Sequence, residues 1–198
     1  MSIYLKSINF LLISLIVILL NGCSSTNMKD FENKTPKLNL FEFFKGETVA
    51  YGIFEDRFGK LRRQFRVKIK GSVEENTLTL DEKFIYDDGE KATRIWKIKK
   101  INENNNLIKY EGSAEDVEGL ATGTSVGNAL NWTYDIYLNI KGSNLKVKFN
   151  DWIYKQDSNV AINRAYVSKF GIDIGSVTLV FLKGQTAKTV SPLNINSW

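Results

Sequence analysis

The chain has 198 residues, with 27 Lys and Arg against 22 Asp and Glu, a formal charge of +5 at neutral pH. It contains no histidine and a single cysteine. These absences exclude His-based triads, His or Cys zinc sites and a His general base. Any catalysis falls to Asp, Glu, Lys, Tyr or Ser with displaced pKa values, and no P-loop, dinucleotide fingerprint or Ca²⁺ loop is present. No metal and no cofactor are expected.

The N-terminus reads "MSIYLKSINFLLISLIVILLNGCSS". Lys6 precedes an apolar run from Phe10 to Leu20, and small residues lead to Cys23, the three parts of a secretory signal. The run is short of the about 20 apolar residues that span a bilayer. Leu20-Asn21-Gly22-Cys23 resembles the bacterial lipobox, in which the cysteine is acylated and becomes the first mature residue. An ordinary signal with a chance cysteine is the alternative; the lack of a second cysteine to pair with favours acylation. Two or more acyl chains hold stably where one does not. Ser24, not Asp, follows the cysteine, which resembles the outer-membrane sorting pattern. The expectation is a signal peptide over 1–22 and palmitate-type lipidation at Cys23, with the protein on the outer membrane facing the periplasm. Nucleic acid is then not a partner. Residues 23–40, polar with one proline, read as a flexible tether reaching roughly 20–25 Å. One domain is expected over 41–185, then a loose tail over 186–198.

From Val49 onward the period is two. "LRRQFRVKIK" sets Phe65, Val67 and Ile69 against Gln64, Arg66, Lys68 and Lys70; "WTYDIYLNI" sets Trp132, Tyr134, Ile136 and Leu138 on one face. One wet and one dry face means antiparallel sheet. Turn signals recur as "RFGK", "DDGE", "NENNN", "KGSN" and "QDSN". The spacing predicts about nine strands: 48–56, 61–72, 77–86, 91–101, 107–114, 130–141, 144–154, 159–170 and 173–183. Closing them into an up-and-down barrel hides both the dry faces and the edges. A two-sheet sandwich is the alternative. Basic residues spread along the wet faces, which suits solvation or attraction to an acidic membrane surface. Trp152 and Tyr154 fall on the wet face as a candidate membrane- or partner-facing pair. Between strands five and six, "EDVEGLATGTSVGNALNW" carries Gly119, Gly123 and Gly127 and reads as a loop or short helix crossing a barrel mouth.

"FFKGETVAYGIFEDRFGKLRRQFRVKIKG", "TLDEKFIYDDGEKATRIWKI", "GSAEDVEGLATGTSVGNALNW" and "NDWIYKQDSNVAINRAYVSKFGIDIGSVTLVF" together resemble a bacterial lipoprotein family of unknown function over nearly all of 41–183. Tyr51-Gly52 departs from the Trp-Gly of that family. The resemblance implies a loosely lipocalin-like barrel and, through cyclopropane-fatty-acid-type methyltransferases encoded beside its members, lipid metabolism. It brings no catalytic residues.

Several polar side chains fall on the dry face. A three-residue loop Asp87-Asp88-Gly89 places Leu80 opposite Trp96 and Glu82 opposite Arg94. A loop at Asp157-Ser158 places Phe149 opposite Tyr166 and Asp151 opposite Arg164. Three roles compete. The pairs fix register; or Arg94 and Arg164, with Tyr134 or Tyr166, hold the head group of an apolar ligand lying along Trp96, Trp132 and Phe149. Or Glu82 or Asp151 acts as a base, against which the adjacent arginines lower carboxylate pKa. Asp56, Arg57, Asp116 and Lys169 are not placed inside by the alternation. The function expected is non-catalytic binding of a lipid or amphipathic molecule. A filled barrel serving as an interaction module, or a lipid-modifying enzyme, are the alternatives.

Overall fold

The structure, a computed structural model, describes residues 26–104, 106–140, 143–190 and 193–198. The leader and Cys23 lie outside the described residues. Ten strands follow one another: β1 (Gly46–Asp56), β2 (Leu61–Glu74), β3 (Thr77–Tyr86), β4 (Lys91–Asn104), β5 (Leu107–Ser113), β6 (Val117–Val126), β7 (Ala129–Ile140), β8 (Ser143–Lys155), β9 (Val160–Lys169) and β10 (Ile172–Lys183). Each pairs antiparallel with the next and β10 returns to β1, so the sheet is a closed barrel with no free edge. The sandwich is thereby excluded. The stretch expected as a mouth-crossing loop is instead strand β6. Gly127-Asn128 forms a two-residue turn between Val126 and Ala129, with Gly127 at φ +54°.

The β3–β4 register is as expected, with Leu80 opposite Trp96 and Glu82 opposite Arg94 around a loop whose Gly89 takes φ +84°. The β8–β9 register differs by one residue. Asp157 Oδ1 accepts from the backbone N–H groups of Asn159 and Val160 at 2.7 and 2.8 Å, and Gln156 N–H donates to Val160 O. This Asx-type turn makes the loop three residues long, so Asp151 faces Ala165 and Trp152 faces Arg164. A slip of one turns a whole strand over. Ala161, Asn163, Ala165 and Val167 face inward; Ile162, Arg164 and Tyr166 face out.

One end of the barrel is sealed by its own N-terminal segment, where a tether over 23–40 was expected. Leu38, Leu40, Phe43 and Phe44 are buried in the core, the last three on the helix α1 (Leu40–Phe44), capped by the Asn39 side chain. Leu38 N–H donates to Gly127 O at 2.7 Å, Ser125 Oγ donates to Leu38 O at 2.5 Å, and Leu40 N–H reaches the Tyr110 hydroxyl at 3.3 Å. Gly71 lets the Phe44 carbonyl lie where a Cβ would sit only 1.8 Å away. Upstream, a single 3₁₀ turn at Met28–Phe31 places the Phe31 ring 6.0 Å from Trp152 and 5.7 Å from Tyr154. The outward aromatic pair is therefore covered by this chain itself, and Trp152 is buried. At the C-terminus, α2 (Gly184–Thr189) packs on β1 and β10 with Ala187 buried. The Arg66 guanidinium covers the Trp198 ring at 4.4 Å, so the expected loose tail lies against the wall.

Candidate functional site

The inner wall changes character along the barrel. Towards the sealed end, Ala50, Ile69, Leu78, Leu80, Ile153 and Phe181 are buried. Towards the end formed by the β1–β2, β3–β4 and β9–β10 turns, the inward side chains Phe54, Phe84, Tyr86, Phe149, Val177 and Leu179 keep part of their surface open. The barrel is thus a cup in outline: sealed below by Leu38–Phe44, and lined above by aromatic and aliphatic side chains that keep part of their surface exposed. At its lip Arg63 lies 3.5 Å over the Tyr86 ring and pairs with Asp88 and Glu90.

An aromatic ladder crosses the middle. Trp132 meets Trp96 edge-on at 5.7 Å, Trp96 meets Tyr134 edge-on at 5.2 Å, and Tyr134 stacks on Phe149 at 5.3 Å. Room for Trp132 comes from glycines on the strands it covers. A Cβ on Gly123 would lie 2.2 Å from the indole, and one on Gly112 2.8 Å. Gly123 sits in the recurrent glycine stretch, and its role is this close approach of a ring to backbone.

Polar groups from six positions meet beside the ladder: Glu82 on β3, Arg94 on β4, Asp116 in the β5–β6 turn, Tyr134 on β7, Asp151 on β8 and Asn163 on β9. Arg94 donates from Nε and Nη2 to Asp116 Oδ2 at 3.0 and 2.7 Å. Asn163 Nδ2 donates to Asp151 Oδ1 at 2.7 Å. Asp151 Oδ2, Asn163 Oδ1 and Asp116 Oδ1 are buried with no partner among the described residues.

Burial governs the proton affinities. It pushes Glu82 up to about 7 against the pull of Arg94, with Asp116 and Asp151 adding to the rise. It pushes Asp151 up to about 6, against the Asn163 amide, the Tyr134 hydroxyl beside it and the Arg94 charge. The arginine expected to hold these carboxyls low is outweighed. Burial also holds the Tyr134 phenol well above its usual value. Burial alone would lower Arg94, but Tyr134, Glu82 and Asp116 keep it protonated.

Of the residues singled out in the sequence, Glu82, Arg94, Trp96, Trp132, Tyr134 and Asp151 come together inside. Arg164 and Tyr166 do not. Arg164 is exposed on the outer wall, 5.7 Å from the Tyr166 ring and 3.4 Å from Ser176 Oγ, so it cannot hold a ligand inside the barrel. Asp56 pairs with Arg62 outside; Arg57 lies over Phe58 in the exposed β1–β2 turn, and Lys169, the last residue of β9, lies over Phe170. Asn163 is the residue the sequence left out, and Asp116 is the one that alternation did not place inside. Once β6 is read as a strand, its turn puts Asp116 beside Arg94; the three-residue β8–β9 loop brings in Asn163. Among the described residues no cluster of three His, Cys, Asp or Glu is arranged to hold a metal.

A family model described as "Protein of unknown function (DUF3833)" matches residues 17–183. No curated protein matches the chain. Among solved structures, the S-type phycobiliprotein lyase CPES from Guillardia theta is similar, with a TM-score of 0.56 and 7% identity over 81% of this chain and 98% of that one. At this identity the likeness shows a shared lipocalin-like barrel fold and carries no residue roles.

Proposed function

The chain belongs to the DUF3833 family of proteins of unknown function, and on that premise we propose that it binds a lipid or other amphipathic molecule inside its barrel without transforming it. The observation that carries this is the cup itself: inward aromatic side chains stay part-open at one end while Leu38–Phe44 seals the other. An apolar body fits along Phe84, Tyr86 and Phe149, and a polar end reaches the Glu82–Asp151 cluster, the usual layout of a small-molecule site. The leader and the lipobox-like Leu20–Cys23 support a protein exported, lipidated at Cys23 and held on the outer membrane, where such ligands are at hand. Native mass spectrometry of protein purified without detergent tests this. A carried amphiphile, or uptake of a fluorescent one in stoichiometric amount, is expected; a bare barrel that takes up none makes the protein a filled interaction module instead. For the anchor, labelled palmitate should attach to the wild type and not to Cys23→Ser; equal labelling of both removes the lipoprotein assignment.

One observation favours a second reading. Glu82, at about 7, has the proton affinity of a general base working near neutrality. A lipid-modifying activity would then fall with Glu82→Gln while ligand uptake is kept. A recovered ligand unchanged after incubation with wild type, at every pH tried, speaks for binding alone.

A further inference from the structure

The polar cluster of the cup is chemically one-sided. It holds one guanidinium, Arg94, and three carboxyl groups, Glu82, Asp116 and Asp151. Arg94 is taken by Asp116 through two hydrogen bonds, and neither Glu82 nor Asp151 forms an ion pair with any described Lys or Arg. The one amide donor beside Asp151, Asn163 Nδ2, is already used on Asp151 Oδ1. Apart from the Tyr134 hydroxyl beside Asp151, what remains is acceptors: Asp151 Oδ2 and Asn163 Oδ1, on side chains only 6% and 5% exposed, have no hydrogen-bond partner among the described residues. A buried acceptor without a donor loses its water and gains nothing in return. A carboxylate or phosphate head group brought here adds acceptors and like charge. An ammonium brings donors and the missing charge.

We propose that the barrel selects amphiphiles with a protonated amine head, seated against Asp151 Oδ2 and Asn163 Oδ1 and faced across the barrel by Glu82, with the tail running out along Phe149 towards the mouth. This rests on the amphiphile-binding reading above and names the class of ligand, opposite in charge to the one the arginines suggested in the sequence. The test is displacement of the neutral probe N-phenyl-1-naphthylamine by dodecylamine, dodecanol and dodecanoic acid at pH 8. Dodecylamine should displace it at a concentration about tenfold or more below that of dodecanoate, the scale of one charge-assisted hydrogen bond. Asp151→Asn and Glu82→Gln, each tested alone, should narrow that gap while leaving dodecanol unchanged; both keep size and hydrogen bonding, so the cup stays formed. Displacement by all three at equal concentration, or preference for the acid, overturns the amine assignment and leaves amphiphile binding standing. A preference for the amine that neither variant reduces overturns the cluster as its cause. No uptake of the probe removes both readings.

Discussion

Glu82 and Asp151 carry their displaced proton affinities into the stability of the barrel. A carboxyl whose pKa is higher in the fold than in the unfolded chain favours the fold at low pH and loses that contribution as pH climbs through the folded value. The window runs from 3.8 to about 6 for Asp151 and from 4.5 to about 7 for Glu82. The chain has no histidine to titrate there, and Asp56, Asp88 and Glu118, whose values are lowered, act below it. The urea midpoint is therefore expected to fall between about pH 4 and pH 7, by up to about 1.4 kcal/mol per pH unit for each carboxyl while it titrates. Asp151→Asn with Glu82→Gln should flatten that slope; a wild-type midpoint that rises across the same range contradicts the assignment. Gly123 makes a separate residue-scale case. Its missing Cβ is filled by Trp132, so Gly123→Ala should cost about 1–3 kcal/mol by overpacking, measured by chemical denaturation. An unchanged midpoint would mean the indole moves aside freely. Glu82 and Arg94 could be placed from the sequence because "YDDGEK" fixes its own loop length. Asn163 could not, because loop length at "QDSN" depends on which backbone N–H groups Asp157 captures.

At the scale of elements, alternation identified nine of the ten strands and failed at β6 for a physical reason. Its inward positions, Ala121, Gly123 and Ser125, are small because Trp132 and the N-terminal segment occupy the space in front of them. A strand that supplies room in place of bulk shows no apolar period. The one local signal was the Gly127-Asn128 turn before an alternating run. Strand β9 misleads in a related way: the larger set, Ile162 and Tyr166, lies outside and the alanines inside, since Tyr134, Phe149 and Trp132 on neighbouring strands already fill the interior. Leu38 and Leu40, within the expected 23–40 tether, are too few to show a period, and Phe43 and Phe44 open the expected 41–185 domain. Their burial makes them structural. The Phe44 ring meets Phe181 edge-on at 5.2 Å, and Phe44→Ala should cost about 3–5 kcal/mol. Ser125→Ala, which strands the buried Leu38 carbonyl, should cost about 1–3 kcal/mol. Urea denaturation that shows neither loss would return the segment to the role of a tether.

Over the whole molecule, closure into a barrel gives each inward position a depth, and depth decides what a substitution does. Val67, on β2 opposite Ala50 and Phe84, is 1% exposed and has no space to grow. Val177, on β10 opposite Phe54 near the mouth, is part-open. Replacing each by Phe adds the same volume at two heights. Val67→Phe is expected to lose about 1–3 kcal/mol through overpacking while leaving the mouth, and so the uptake of N-phenyl-1-naphthylamine by the folded fraction, as in wild type. Val177→Phe is expected to leave the unfolding midpoint near wild type, because the position is part-exposed, and to reduce probe uptake by standing in the ligand's path. The contrast separates a cup from a solid core. In a barrel filled throughout, both variants would be overpacked and both destabilised alike. In a barrel open at the other end, where Leu38–Phe44 lies, Val67→Phe would be the one to block uptake. Only a cavity that opens at the β1–β2 and β9–β10 turns gives stability loss at one height and binding loss at the other.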